Sequence, residues 1–300
     1  EGAGAMSDQR PPVVPSRRPD PAVGSARHTR ALTIGTEVRR QLGRRRTFWS
    51  FVVLLGLPVV LIAAFAIGKP SGPPGTAGTR LSDLATAGGA NFTLFALSAA
   101  SDFLLVVIAA LFAGDAVPSE ASWSTLRYLL VAPVPRMRLL TSKLLVALLS
   151  LAVALVALVG WSILVGGLAY GWAPFTNPAG GVLEWSELAG RLALATAYLF
   201  ASLLQVAALA FALGVRTDAP LGAVGVAVLA AIVSAILGQI ESLGDLRNGL
   251  PLHYQRAWID LLTPQIDWTA MRHGVLWSLL YTAIFLTLAG WLFRRKDVLS

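Results

Sequence analysis

Six stretches of this chain are each about as long as a bilayer is thick and carry almost no charge: Phe48–Ile67, Phe92–Ala113, Leu144–Tyr170, Leu192–Val215, Leu221–Ile240 and Val275–Phe293. A hydrocarbon core of about 30 Å takes roughly 20 helical residues, and lipid offers no partner to backbone N–H and C=O groups, so each run must satisfy its own backbone as a helix. The composition agrees, with 55% hydrophobic and 13% charged residues and a mean hydropathy of +0.67. The expectation is an all-α polytopic membrane protein with six transmembrane helices over residues 47–293. Pro58 should kink the first helix, and the third run is long enough to tilt or project. The few residues between Arg216 and Leu221 should close spans four and five into a tight hairpin.

Alternate loops divide the basic residues unevenly. One side receives the N-terminal segment, residues 114–143, Arg216 and the tail Arg294, Arg295 and Lys296; the other receives Lys69, Arg80, Arg191, Arg247, Arg256 and Arg272. The excess is roughly threefold, and the positive-inside rule makes the richer side, with both termini and the 294–300 tail, cytoplasmic. The net charge of +8 sits mainly ahead of the first apolar run, a placement that suits anionic lipid rather than nucleic acid.

The five residues ahead of Met6 read as an appended remnant, and residues 1–28 as a disordered basic segment rather than a signal peptide. Over residues 29–46, Ile34, Val38 and Leu42 recur every fourth position among Glu37, Arg39, Arg40, Arg44, Arg45 and Arg46. That pattern predicts an amphipathic helix lying on the cytoplasmic leaflet, with a plain topology signal as the alternative. On the outer side, Lys69–Asn91 should be a flexible loop. Residues 241–272 mix Trp258, Ile259, Leu261, Leu262, Ile266 and Trp268 with polar residues and two prolines, Pro251 and Pro264. They suit short helices dipping into the outer leaflet with the tryptophans at the interface, although an ordinary folded loop fits the composition equally well.

Chemistry is constrained by what the chain lacks. There is no cysteine, and His28, His253 and His273 are not at ligand spacing, so neither a metal site nor thiol chemistry is expected. No G-x-x-x-x-G-K-S/T occurs, so the chain should not hydrolyse ATP and is not expected to be an enzyme. Within the spans, Asp102 stands near the middle of the second, where an exposed charge costs a few kcal/mol. It should face a cavity or a partner, or be protonated, and Asn91, Ser98 or Ser101 are candidate partners. Ala223, Ala227, Ala231 and Ala235 recur every four residues on the fifth span, where small side chains let backbones approach, either within the chain or between two copies.

The polar island Gly114–Lys143 carries the most specific pattern. Ser119 or Ser122 can cap a helix, Pro118 sits near its start, and Glu120 favours the positive end of its dipole. Trp123, Leu126, Leu129 and Leu130 then form an apolar face with Arg127 on the polar side. Pro133 and Pro135 stop the helix ahead of Arg136, Arg138 and Lys143, which leaves a docking element at about 119–132 between spans two and three. Headgroup anchoring is the plainer role for these three basic residues.

The order acidic residue, Ser-Thr-Leu, leucine pair, Pro-x-Pro-Arg, Leu-Leu-x-x-Lys-Leu-Leu resembles the coupling-helix signature of type-2 ABC transporter permeases, the membrane subunits of many bacterial exporters. The six-span layout, the basic amphipathic segment, the outer helical segment before the last span and the Phe293–Asp297 ending look like that family too. The resemblance implies that Glu120, Trp123, Thr125, Leu126, Arg127, Arg136 and Lys143 couple the chain to a separate ATPase subunit that binds ATP and Mg. Ser124 departs from the family's usual glycine. The resemblance further implies a homodimer packed through the alanine row in a two-plus-two complex, a bacterial plasma-membrane location, and export of a hydrophobic or amphipathic substrate past Asp102 and, secondarily, Gln205. An ion-driven secondary transporter is the alternative, but it usually carries several intramembrane ionisable residues. A non-transporting scaffold or sensor for a cytosolic partner would use the same island.

Overall fold

The computed structural model describes residues 41, 43, 45–68, 82, 84–118, 136–177, 181–217 and 219–295. The chain is mainly helical: α1 Arg45–Ile67, α2 Gly89–Asp102, α3 Leu104–Gly114, α4 Arg136–Tyr170, α5 Trp185–Arg216, α6 Pro220–Gly238 and α7 Thr269–Arg295. Two-residue strands β1 (Phe175–Thr176) and β2 (Val182–Leu183) form an antiparallel hairpin between α4 and α5. Two 3-10 stretches, Glu241–Gly249 and Gln255–Leu262, lie between α6 and α7. Five helices are long and apolar enough to cross a membrane, and the pair α2–α3, bent by 55°, adds a sixth if it counts as one span. The chain is therefore an all-α polytopic membrane protein with five to six candidate spans among the described residues.

Burial follows what a bilayer demands of each helix. α5 is the axis of the bundle, with 72% of its apolar window buried against 11% for α1 and for α7. It packs on α7, α3 and α6, while α2 and α1 pack on α4. The outer helices expose rows such as Leu145, Leu149, Val153 and Val156 on α4 and Leu276, Leu280, Ile284 and Leu288 on α7. Apolar faces of that extent are stable only against hydrocarbon or another chain.

Helix directions gather one end of the molecule. Arg46 at the start of α1 binds Asp115 just after α3, with Nη1 and Oδ1 2.9 Å apart. Further along α1, the Phe51 ring meets Phe112 with centroids 6.0 Å apart, and Phe65 meets Phe95 at 5.3 Å. The bent pair thus runs antiparallel to α1 along its whole length. α4 starts, and α5 and α7 finish, at the Arg46 end, which carries Arg216, Arg294 and Arg295 and is called the basic end below. The hairpin and the 3-10 stretches occupy the opposite end.

Several expectations need correcting. The second span is not a continuous helix: Phe103, with φ −138° and ψ −51°, interrupts it. Pro58 lies within α1, as placed, and Trp161 of α4 donates from Nε1 to the Leu55 carbonyl at 2.9 Å, in the turn that a proline ring loosens. Trp258 is not an interfacial anchor: it is fully buried, while Trp268 is 39% exposed. The alanine row packs inside the chain, since Ala223, Ala227 and Ala231 are buried and only Ala235 is exposed. α6 lies there against α5 and α3, with Val224 at Gly114. The helix expected over 29–46 falls almost wholly outside the described residues.

Candidate functional site

The segment 241–268 carries little regular structure, and 3-10 geometry is poor over eight or nine residues. Side chains from the bundle hold it instead. Tyr281 of α7 donates to the Gly249 carbonyl at 2.5 Å, Ser234 of α6 to Pro251, and Tyr198 of α5 to Tyr254 at 2.5 Å. Arg191 of α5 forks from one nitrogen to the carbonyls of Leu261 at 2.6 Å and Thr263 at 2.7 Å, and its other nitrogen binds Glu187. Asn177, beside the hairpin, reaches the Leu262 carbonyl at 2.7 Å. Each bond is worth about 1 kcal/mol net, and together they hold Leu252 in the left-handed region at φ 63°, a conformation that costs roughly 1–3 kcal/mol in a residue with a Cβ. Trp258, Leu261 and Leu262 then bury their side chains beneath.

The same segment reaches into the break between α2 and α3. A helix end leaves its last carbonyls without intrahelical donors, and Gln255, itself buried, donates from Nε2 to the Ser101 carbonyl there. Next to it, Arg256 forks onto Asp102, with Nε to Oδ1 at 2.8 Å and Nη2 on Oδ2. The partner of Asp102 is therefore an arginine 154 positions away, and not Asn91, Ser98 or Ser101. Asn91 exchanges hydrogen bonds with the backbone of Thr176, and the Ser101 hydroxyl donates to Ser98.

Electrostatics within the segment are set by these neighbours. The bond to Asp102 raises the Arg256 pKa. Burial, then the Asp267 charge, pushes the Asp260 carboxyl up, while the Thr269 N–H at the start of α7 holds Asp267 down. Burial followed by Arg247 lowers the His253 imidazole.

Other sequence-singled residues have different surroundings. Gln205 is buried on α5, with Nε2 on the Ser202 carbonyl at 2.9 Å and Oε1 without a hydrogen bond among the described residues. Glu120, Trp123, Thr125, Leu126 and Arg127 lie outside the described residues, as does the side chain of Arg136. Lys143, in the first half of α4, is only 4% exposed, which is burial rather than headgroup anchoring. Arg46, Arg191, Gln255 and Arg256 had no signal beyond their charge or polarity, because each acts across a long sequence separation.

A cavity of about 580 Å³ opens between α4 and α5, walled by Leu155, Val159, Ile163, Leu192 and Phe200 under Trp185. Its one hydroxyl, Thr196 Oγ1, already donates to the Leu192 carbonyl at 2.7 Å. Such walls accept apolar matter without reading polar groups. Among the described residues no group of three acidic or histidine side chains is placed to hold a metal. No curated protein matches this chain. Residues 56–299, well over half of its length, match a family described as Protein of unknown function (DUF2705), and the chain belongs to that family.

Proposed function

We propose that this protein is the membrane subunit of an ATP-driven exporter of the type-2 ABC class, embedded in a bacterial plasma membrane with both termini in the cytoplasm. Two copies would work with two copies of a separate ATPase subunit, which binds ATP and Mg and performs all the covalent chemistry. The observation that carries this reading is the sequence of the Gly114–Lys143 island, patterned for a capped amphipathic helix, a Pro-x-Pro-Arg stop and a basic exit, in a chain with no phosphate-binding loop of its own. The geometry supports it in three ways. The island joins α3 to α4 at the basic end, where positive-inside bias calls for cytosol. Arg46–Asp115 and the buried Lys143 fix the two flanks of the island to the bundle, so a push on Glu120–Val131 would reach the spans. The apolar α4–α5 cavity suits a hydrophobic or amphipathic cargo. ATPase closure would then rock the helices between two access states.

The test is to purify the chain with the ATPase encoded beside it and follow ATP turnover in lipid. Glu120→Ala is expected to weaken complex formation or to cut substrate-stimulated turnover about tenfold, the loss of roughly one charge-assisted contact. Unchanged assembly together with unchanged stimulation would remove the coupling assignment.

A further inference from the structure

The Asp102–Arg256 pair lies at membrane depth, yet it is open. α1 covers the bent span on both sides of Asp102, through Phe65 on Phe95 toward one end and Phe51 on Phe112 toward the other. Asp102 therefore sits between two levels of an apolar helix. Its side chain is nevertheless 41% exposed and that of Arg256 67% exposed. Ala99 is exposed on the same stretch, as is Phe103. Ions half open to hydrocarbon are strongly disfavoured, so something polar must meet this face. On α1, by contrast, the exposed residues around the same depth are Val59 and Val60, as lipid requires.

The break also divides the molecule. α2 packs mainly on α4, whereas α3 packs mainly on α5 and α6 and less on α4, so Phe103 joins two differently packed halves of the span. The 241–268 segment is tied by Tyr198, Arg191, Ser234 and Tyr281 to α5, α6 and α7, and Gln255 and Arg256 cross from it to the end of α2. They bridge the two halves beside the point where the span can bend.

We propose that Ala99, Asp102, Phe103 and Arg256 line a water-filled vestibule entering from the end opposite the basic one, and that the Asp102–Arg256 pair is the latch that keeps the 241–268 segment seated as its stopper. Water, not lipid, solvates the open side of the pair. Releasing the pair frees α2 from the segment and widens the vestibule. This deepens the export reading, for which it supplies an outer closure, but its test involves neither ATP nor a partner and stands or falls separately.

The chain has no cysteine, so single thiols can be read without background. Full-length Ala99→Cys and Phe103→Cys in proteoliposomes would be reacted with a membrane-impermeant, sulfonate-bearing maleimide. Val60→Cys and Leu229→Cys, exposed on α1 and α6, serve as lipid-facing references. Because only the thiolate reacts and hydrocarbon suppresses it, the two vestibule positions are expected to label at least about tenfold faster than the references. Arg256→Gln, or Asp102→Asn if that variant folds poorly, should raise the vestibule rates further and leave the references unchanged. Labelling at reference rates overturns the vestibule, as does a disulfide between two copies of Phe103→Cys without labelling, which would make this face an interface. Vestibule rates unmoved by both charge variants would overturn the latch.

Discussion

Arg191 shows how much one side chain holds when its donors all point at backbone. It was legible only as a charge on the less basic side, yet it satisfies the Leu261 and Thr263 carbonyls at 2.6 and 2.7 Å from a position only 12% exposed. Glu187, one turn back, steadies it but is 54% exposed, so that ion pair adds little. Removing the guanidinium leaves two carbonyls at the end of the second 3-10 stretch without donors. Arg191→Ala is expected to cost roughly 2–3 kcal/mol, read as a thermal midpoint several degrees lower in detergent. Arg191→Lys should recover part of the loss, because both carbonyl bonds leave a single nitrogen and an ammonium also carries donors for two. An Arg191→Ala protein that melts with the parent would show that the segment is held without it.

Between elements, the contacts that matter are made by backbones. α5 crosses the end of α3 where a Cβ on Gly214 would stand 2.6 Å from the Gly114 carbonyl oxygen and 3.3 Å from Pro118. Neither neighbour can rotate away. Gly214→Ala is expected to destabilise by about 1–3 kcal/mol through forced separation of the two helices. On the same helix, a Cβ at Gly190 meets nothing within 4 Å, and Gly190→Ala should be neutral or stabilising by a few tenths of a kcal/mol. Equal midpoints for the two variants would remove the crossing from the account. The helices themselves were readable because lipid forces apolar runs of fixed length: α1 and α6 begin and end within three residues of the runs that announce them, while α7 starts six residues ahead of its run. The break at Phe103 was not readable, since Ser98-Ala99-Ala100-Ser101-Asp102-Phe103 contains neither proline nor glycine. The alanine row announced a close approach without saying whose backbone approaches, and Ala223, Ala227 and Ala231 are buried inside this chain.

At the scale of the molecule, the cost of a buried charge made Asp102 conspicuous in the sequence, but cost has no address. Its partner lies 154 positions away in a segment without helical or strand periodicity, so the pairing exists only once α5, α6 and α7 have fixed residues 241–268. The same geometry bears on how often the chain would cross a membrane. A re-entrant α2–α3 pair would return to the end at which it entered. Here α2 begins beside Gly167 and Gly171 at the far end of α4, and α3 finishes where Asp115 binds Arg46, at the start of α1. The bent pair therefore travels the full height of the bundle, which is the path six crossings would take and which sets the Arg295 end beside the start of α1. Reporter fusions ahead of α1 and after α7 are expected to behave alike, with a fluorescent protein folding at both and a periplasm-dependent phosphatase inactive at both, as the proposed orientation calls for. A phosphatase active at only one of the two would leave five crossings and put the Gly114–Lys143 island and Arg295 together on the side opposite the start of α1.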